Sequence, residues 1–222
     1  MVNVVIQWKY VSPKKQEIVL TSDLLPAEKA LVLADDFEKT GRVKELLFID
    51  EQNTSWTKKE LTKLLKELET EPHDIVAYFD GGFDKQTQKA GVGAVIYYKQ
   101  NHRHYRLRAN QLLDELESNN EAEYAAFWFV VQKLEELGVH HLPVTFRGDS
   151  QVVLNQLSGE WPCFEDNYNA WLDRIEEKLN ELGIKAIFEP ISRKQNIEAD
   201  KLASQALENI FITSTLELNE KG

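Results

Sequence analysis

A chain of 222 residues, 42% of them hydrophobic, is long enough for one or two domains with real cores. Its formal charge of −11 argues against a general nucleic-acid binder, whose affinity comes mostly from Lys and Arg neutralising phosphates; nucleic-acid chemistry here must be local and assisted by cations. The single cysteine, Cys163, excludes an intrachain disulfide or a cysteine metal cluster, and no apolar run reaches the ~18 residues of a membrane span. No signal-peptide layout opens the chain, so a cytoplasmic protein is expected.

Residues 2–10 alternate (Val2, Val4, Ile6, Trp8, Tyr10), a Ser12–Lys15 turn follows, and Ile18 and Leu20 resume the alternation, which predicts a hairpin. Pro26 opens a helix that carries Leu31, Val32 and Phe37 and stops near Gly41. A strand over Glu45–Asp50 comes next. Thr57 and Glu60 then form a capping box for a helix with Leu61, Leu64, Leu65 and Leu68. Residues 1–70 thus read as a small α+β (ββαβα) module for an unassigned partner or substrate. Residues 71–74 read as a linker.

The second part begins with IVAYFD (Ile75–Asp80), followed by strands over Ala90–Tyr98 and His102–Ala109. A long helix covers Asn119–Leu137, a strand Pro143–Asp149 enters a short helix at Ser150–Leu157, and an amphipathic helix spans Asn167–Leu182. A strand over Ile184–Pro190 and a helix through Ala199, Leu202, Ala203 and Ala206 complete the unit. The fold class is α/β, a mixed five-stranded sheet with helices on both faces over 75–210. Residues 211–222 read as a frayed tail.

Four acids fall in places that cost energy. Asp80 ends an apolar run, where an unpartnered carboxylate is expensive to desolvate, and the two glycines after it allow close approach of a ligand. Asp149 ends a strand before a short helix, where ligand sites of α/β sheets gather. Glu121 and Glu123 lie about 200° apart around one helix, so only one can face a given site. Ser118 and Glu121 make a capping box, leaving Glu123, at the edge of a buried stretch, as the ligand candidate. Asp200 lies beside the Ala/Leu stripe of the last helix. Each has an ordinary explanation too: a turn residue, a helix N-cap, or a solvated first-turn acid. Taken together, hard oxygen ligands without cysteine or clustered histidine point to Mg²⁺ or Mn²⁺.

Asp80-Gly81-Gly82, Ser118-Asn119-Asn120-Glu121-Ala122-Glu123, Asp149-Ser150 and Asn196-Ile197-Glu198-Ala199-Asp200, in that order, resemble the four motifs of the ribonuclease H type 1 family, also found as the RNase H domain of reverse transcriptases. The resemblance implies an RNase H-like fold and two divalent ions. Asp80 would be shared by both ions; Asp200 would hold the one that activates water; Glu123 and Asp149 would hold the one at the leaving 3′-oxygen. It also implies an RNA–DNA hybrid as substrate, with Asn119, Asn120 and Gln151 facing the minor groove and the ribose 2′-OH. Asn119 and Asn120 also suit helix capping, and Gln151 an ordinary surface position.

This sequence departs from the family in three places. Arg193 and Lys194 replace the histidine of a longer loop, leaving a cation that can meet phosphate but cannot shuttle protons near neutral pH; Asn196 belongs to the same substrate-facing set. A short acidic segment, Gly159–Tyr168, replaces a basic Trp-rich protrusion, with Trp161 as core or substrate-facing aromatic. Phe83–Gly93 replaces the usual Gly/Pro-rich turn. Besides the hybrid ribonuclease, two alternatives stay open: another RNase H-like nuclease, and a non-catalytic nucleic-acid-binding protein that keeps the fold.

Overall fold

The computed structural model describes residues 2–219; residue 1 of the N-terminal module and residues 220–222 of the expected tail lie outside the described residues. The chain divides into two compact units, with the boundary between Thr70 and Glu71.

The first unit contains β1 (Asn3–Val11), β2 (Glu17–Pro26), α1 (Ala27–Lys39), β3 (Val43–Asp50), β4 (Ser55–Trp56) and α2 (Lys58–Thr70). Its four strands form an antiparallel sheet in the order β2-β1-β3-β4. Alternation sends Val4, Ile6 and Phe48 to one face, where they pack on Ala27, Ala30 and Ala34 of α1 and Leu61 of α2. Trp8 stacks on Phe37 with ring centroids 4.7 Å apart. The start of α2 is a reciprocal box: the Thr57 N–H donates to Glu60 Oε2 at 2.8 Å, and the Glu60 N–H to Thr57 Oγ1 at 3.3 Å. Strand β4 carries no sequence signal because it is only two residues long. Pairing with Phe48 and Ile49 makes it, and the Trp56 indole N–H donates to Asp50 Oδ2 at 2.9 Å.

The second unit contains β5 (His73–Asp84), β6 (Lys89–Gln100), β7 (Arg103–Asp114), α3 (Asn119–Glu136), β8 (Pro143–Gly148), α4 (Gln151–Leu157), α5 (Asp166–Glu181), β9 (Lys185–Pro190), α6 (Ile197–Leu207) and β10 (Thr213–Leu218). The sheet order is β10-β7-β6-β5-β8-β9, with β5, β8 and β9 parallel and the remaining pairs antiparallel. Helix α3 packs on one face of β5 and β6, and α6 on the other. Glycines set both approaches: a Cβ on Gly81 would lie 2.2 Å from the Ala122 carbonyl oxygen, and one on Gly93 would lie 2.3 Å from that of Ala199. Among the described residues no helix is long and apolar enough to cross a bilayer.

The sheet has six strands rather than five, because the expected tail contributes β10 along the free edge of β7. In the sequence, TSTLEL offers only two leucines among polar residues, a weak strand pattern. The partner edge decides the matter, and a buried side chain secures it. Asn110 donates from Nδ2 to the carbonyls of Leu202 at 2.8 Å and Ile210 at 2.9 Å, and its Oδ1 accepts from the Ile212 N–H at 2.7 Å. The linker is also shorter than expected, since β5 already begins at His73.

Candidate metal centre

Strand β8 pairs with β5 only as far as Arg147 opposite Tyr78, whereas β9 follows β8 to Gly148. Beyond Tyr78 the sheet opens between the two strands at their carboxyl ends, the usual place for a ligand in such sheets. Asp80 lies on β5 just past this point, well inside a strand that continues to Asp84 beside β6 alone. Asp149 leaves β8 on the opposite side of the gap. Glu123 arrives from α3, which can come close because Gly81 has no side chain. The glycine after Asp80 thus admits a helix, where the sequence suggested a ligand.

Ligand oxygens of Asp80, Glu123 and Asp149 all lie within 4.8 Å of one another. Asp80 is 7% exposed and Glu123 8%. Such burial of like charges has a cost, visible in the acid–base behaviour. Desolvation, reinforced by Asp149 and Asp200, pushes the Asp80 carboxyl up to about 7. Desolvation, then the charges of Asp80 and Asp149, push Glu123 up to about 9, against a hydrogen bond from the Gly81 N–H.

Asn196 ties the cluster together. Only 1% exposed, it donates from Nδ2 to the Phe79 carbonyl at 2.9 Å, to Asp80 Oδ1 at 3.2 Å and to Asp149 Oδ1 at 3.0 Å. Asn196, expected to face substrate, has an enclosed side chain that orients two carboxylates. The motif contained this residue, but its role needed the contact between the start of α6 and two strands.

Glu121 points away from the cluster. Its Oε2 accepts from the Glu117 N–H at 2.8 Å and its Oε1 from the Trp171 indole at 3.2 Å, while Ser118 Oγ accepts from the Glu121 N–H at 3.1 Å. The cap therefore reaches one residue further back than a capping box and also fastens α5. Asp200, in the first turn of α6, stands outside the close triad; its Oδ1 accepts from Arg193 Nη2 at 3.1 Å. Asn119 and Asn120 are exposed in the first turn of α3, and Gln151 is exposed as the first residue of α4. Trp161 is 46% exposed and Phe164 87%, so neither belongs to the core. A short loop between α4 and α5 leaves them no interior to fill.

The residues present suit a divalent cation. They offer hard oxygen donors whose mutual repulsion a cation removes, and the buried Glu123 Oε2 and Asn196 Oδ1 have no hydrogen-bond partner.

Residues 78–206 match the family described as Reverse transcriptase-like. The chain belongs to that family. It is 46% identical over 202 residues to the uncharacterized protein YpeP of Bacillus subtilis (strain 168), across 91% of this chain and 89% of that one. Its structure resembles RNase H1 from the halophilic archaeon Halobacterium salinarum, with a TM-score of 0.52 and 26% identity over 61% of this chain and 98% of that one. It also resembles the N-terminal RNase H domain of a Mycobacterium tuberculosis protein, with a TM-score of 0.53 and 25% identity over 61% of this chain and 94% of that one. The same fold occurs in LC11-RNase H1 in complex with RNA/DNA hybrid, with a TM-score of 0.54 and 24% identity over 61% of this chain and 98% of that one. The second unit is thus an RNase H-like domain whose buried acidic triad is the framework of a nuclease.

Proposed function

We propose that this protein is a metal-dependent endoribonuclease that hydrolyses the RNA strand of RNA–DNA hybrids. The observation that carries the reading is the triad: Asp80, Glu123 and Asp149 from three different elements bring ligand oxygens within 4.8 Å, and Asn196 holds two of them in place. Asp80 would be shared by two ions, with Glu123 and Asp149 holding one and Asp200 the other. Divalent ions bound there supply an activated water and stabilise the leaving 3′-oxygen. Asn196 fixes the Asp80 and Asp149 carboxylates, so little reorganisation is needed when substrate arrives. The exposed amides of Asn119, Asn120 and Gln151 supply donors and acceptors suited to a minor groove and a ribose 2′-OH. Support for the substrate comes from a protein of the same fold held in complex with RNA/DNA hybrid. The first unit is proposed as a separate module for a partner or substrate.

The test uses purified full-length protein and a strand-labelled hybrid. Cleavage should vanish in chelator, return with Mg²⁺ or Mn²⁺, fall only within the RNA strand, and be lost in Asp80→Asn and Asp149→Asn variants that remain folded. Chelator-resistant cleavage, or equal cutting of both strands, refutes the mechanism. The Arg193–Asp200 pair favours a second reading, a hybrid-binding protein without turnover. Hybrid binding with no cleavage in either ion would select it.

A further inference from the structure

Arg193 stands where the resemblance expects a histidine, and its guanidinium has a defined place. Its Nη2 donates to Asp200 Oδ1 at 3.1 Å. Its charge also acts on Asp149 and Asp80. Asp200 belongs to the acidic set by motif, yet its oxygens are missing from the close triad. A cation already occupies it.

The backbone beneath Arg193 is fixed while its side chain lies open to solvent. Arg193–Gln195 is a single 3-10 turn. It is closed by Ser192, whose N–H and Oγ donate to Gln195 Oε1 at 3.0 and 2.8 Å, and by the Gln195 N–H, which donates to the Ser192 carbonyl at 2.8 Å. The next residue is the buried Asn196, bonded to Asp80 and Asp149. The Arg193 side chain itself is 81% exposed and that of Asp200 36%. A guanidinium stays charged across the whole working pH range, so this positive charge cannot be titrated away. Only competition removes it from Asp200.

We propose that Arg193 is a resident counter-cation of the acidic cluster, which competes with divalent ions for Asp200 and so sets the ion concentration at which the site fills. The inference rests on reading the cluster as a metal centre. Without divalent ions Arg193 offsets part of the repulsion among the carboxylates. When an ion takes Asp200, the ion pair must first open, and metal affinity is lowered by the strength of that pair. Exposed ion pairs are modest, so the expected effect is about three- to fivefold in affinity.

The experiment is calorimetric titration of Mn²⁺ into the full chain: wild type, Arg193→Gln, Arg193→Lys, Asp200→Asn, and the Arg193→Gln/Asp200→Asn double variant. Arg193→Gln should bind Mn²⁺ about three- to fivefold more tightly, with the gain shrinking at high salt. Arg193→Lys keeps the charge and should return most of the way to wild type. In the Asp200→Asn background the gain should disappear. Unchanged or weaker Mn²⁺ binding in Arg193→Gln overturns the proposal, as does an equal gain with Lys or without Asp200. Should Asp200→Asn alone abolish binding, the Lys and Gln variants decide the matter. Hybrid cleavage on the same preparations separates the two readings. No cleavage with the Mn²⁺ effect intact rejects the ribonuclease and keeps the counter-cation; cleavage without the effect does the reverse.

Discussion

In chelator, raising the pH should destabilise the second unit through two identifiable side chains. Asp80 stands at about 7 in the folded protein against an ordinary 3.8, and Glu123 at about 9 against 4.5. Between pH 5 and 7 both are protonated in the folded state and ionised in the unfolded chain. The folded state then binds more protons, so its stability falls as pH rises. The contribution is complete below the unfolded values, lost for Asp80 by about pH 7, and lost for Glu123 by about pH 9. Each group removes about 1.4 kcal/mol per pH unit while its window is open, which caps the joint loss at about 5 kcal/mol between pH 5 and 7. Urea unfolding at pH 5, 6, 7 and 8 in chelator measures it, reading the transition that Mn²⁺ shifts. Asp80→Asn should remove at least half of this slope, because it deletes one group and the charge acting on the other. Mn²⁺ should stabilise the wild type more at pH 8 than at pH 5, since protons compete for the same oxygens. The acids elsewhere in the chain contribute equally to both proteins and cancel in the comparison. Equal pH slopes for wild type and Asp80→Asn in chelator would refute the assignment of buried repulsion to this cluster.

Glu121→Gln should cost at most about 1 kcal/mol by urea unfolding and leave hybrid cleavage intact, because Glu121 serves the start of α3 and Trp171; a folded but inactive variant would show that the wrong glutamate was chosen. Gly93→Ala should cost about 3 kcal/mol or more and move α6, since its Cβ would meet the Ala199 carbonyl at 2.3 Å; wild-type stability would contradict that packing. Residues 71–222 should unfold cooperatively and cleave hybrid without the first unit, whereas loss of cooperativity would show a shared core. Ending the chain after Asn209 should lower stability and loosen α6, because Asn110 loses its Ile210 and Ile212 partners; hydrogen exchange over 197–207 reads this directly, and unchanged protection would exclude it.

Periodicity and turn chemistry were enough to place most elements, because alternation and helical spacing are imposed by burial along a single segment. The Thr57–Glu60 box and the long buried α3 follow from adjacent residues alone, and the choice of Glu123 over Glu121 follows from helix geometry. The sequence thus singled out three acids, Asp80, Glu123 and Asp149, that the fold brings within 4.8 Å of one another. Their arrangement was not, since it depends on where separate segments meet. Asp80 reads as a run's end but lies inside a strand whose parallel neighbour stops short. Gly81 reads as a ligand's clearance but is a helix's. Asn196 reads as a motif's first letter but is a buried clamp between α6 and two strands. Strand β10 exists because β7 offers it an open edge, and Arg193 holds Asp200 because a 3-10 turn delivers it there. Local sequence specifies which face a residue prefers; only the packed chain decides which distant group it meets on that face.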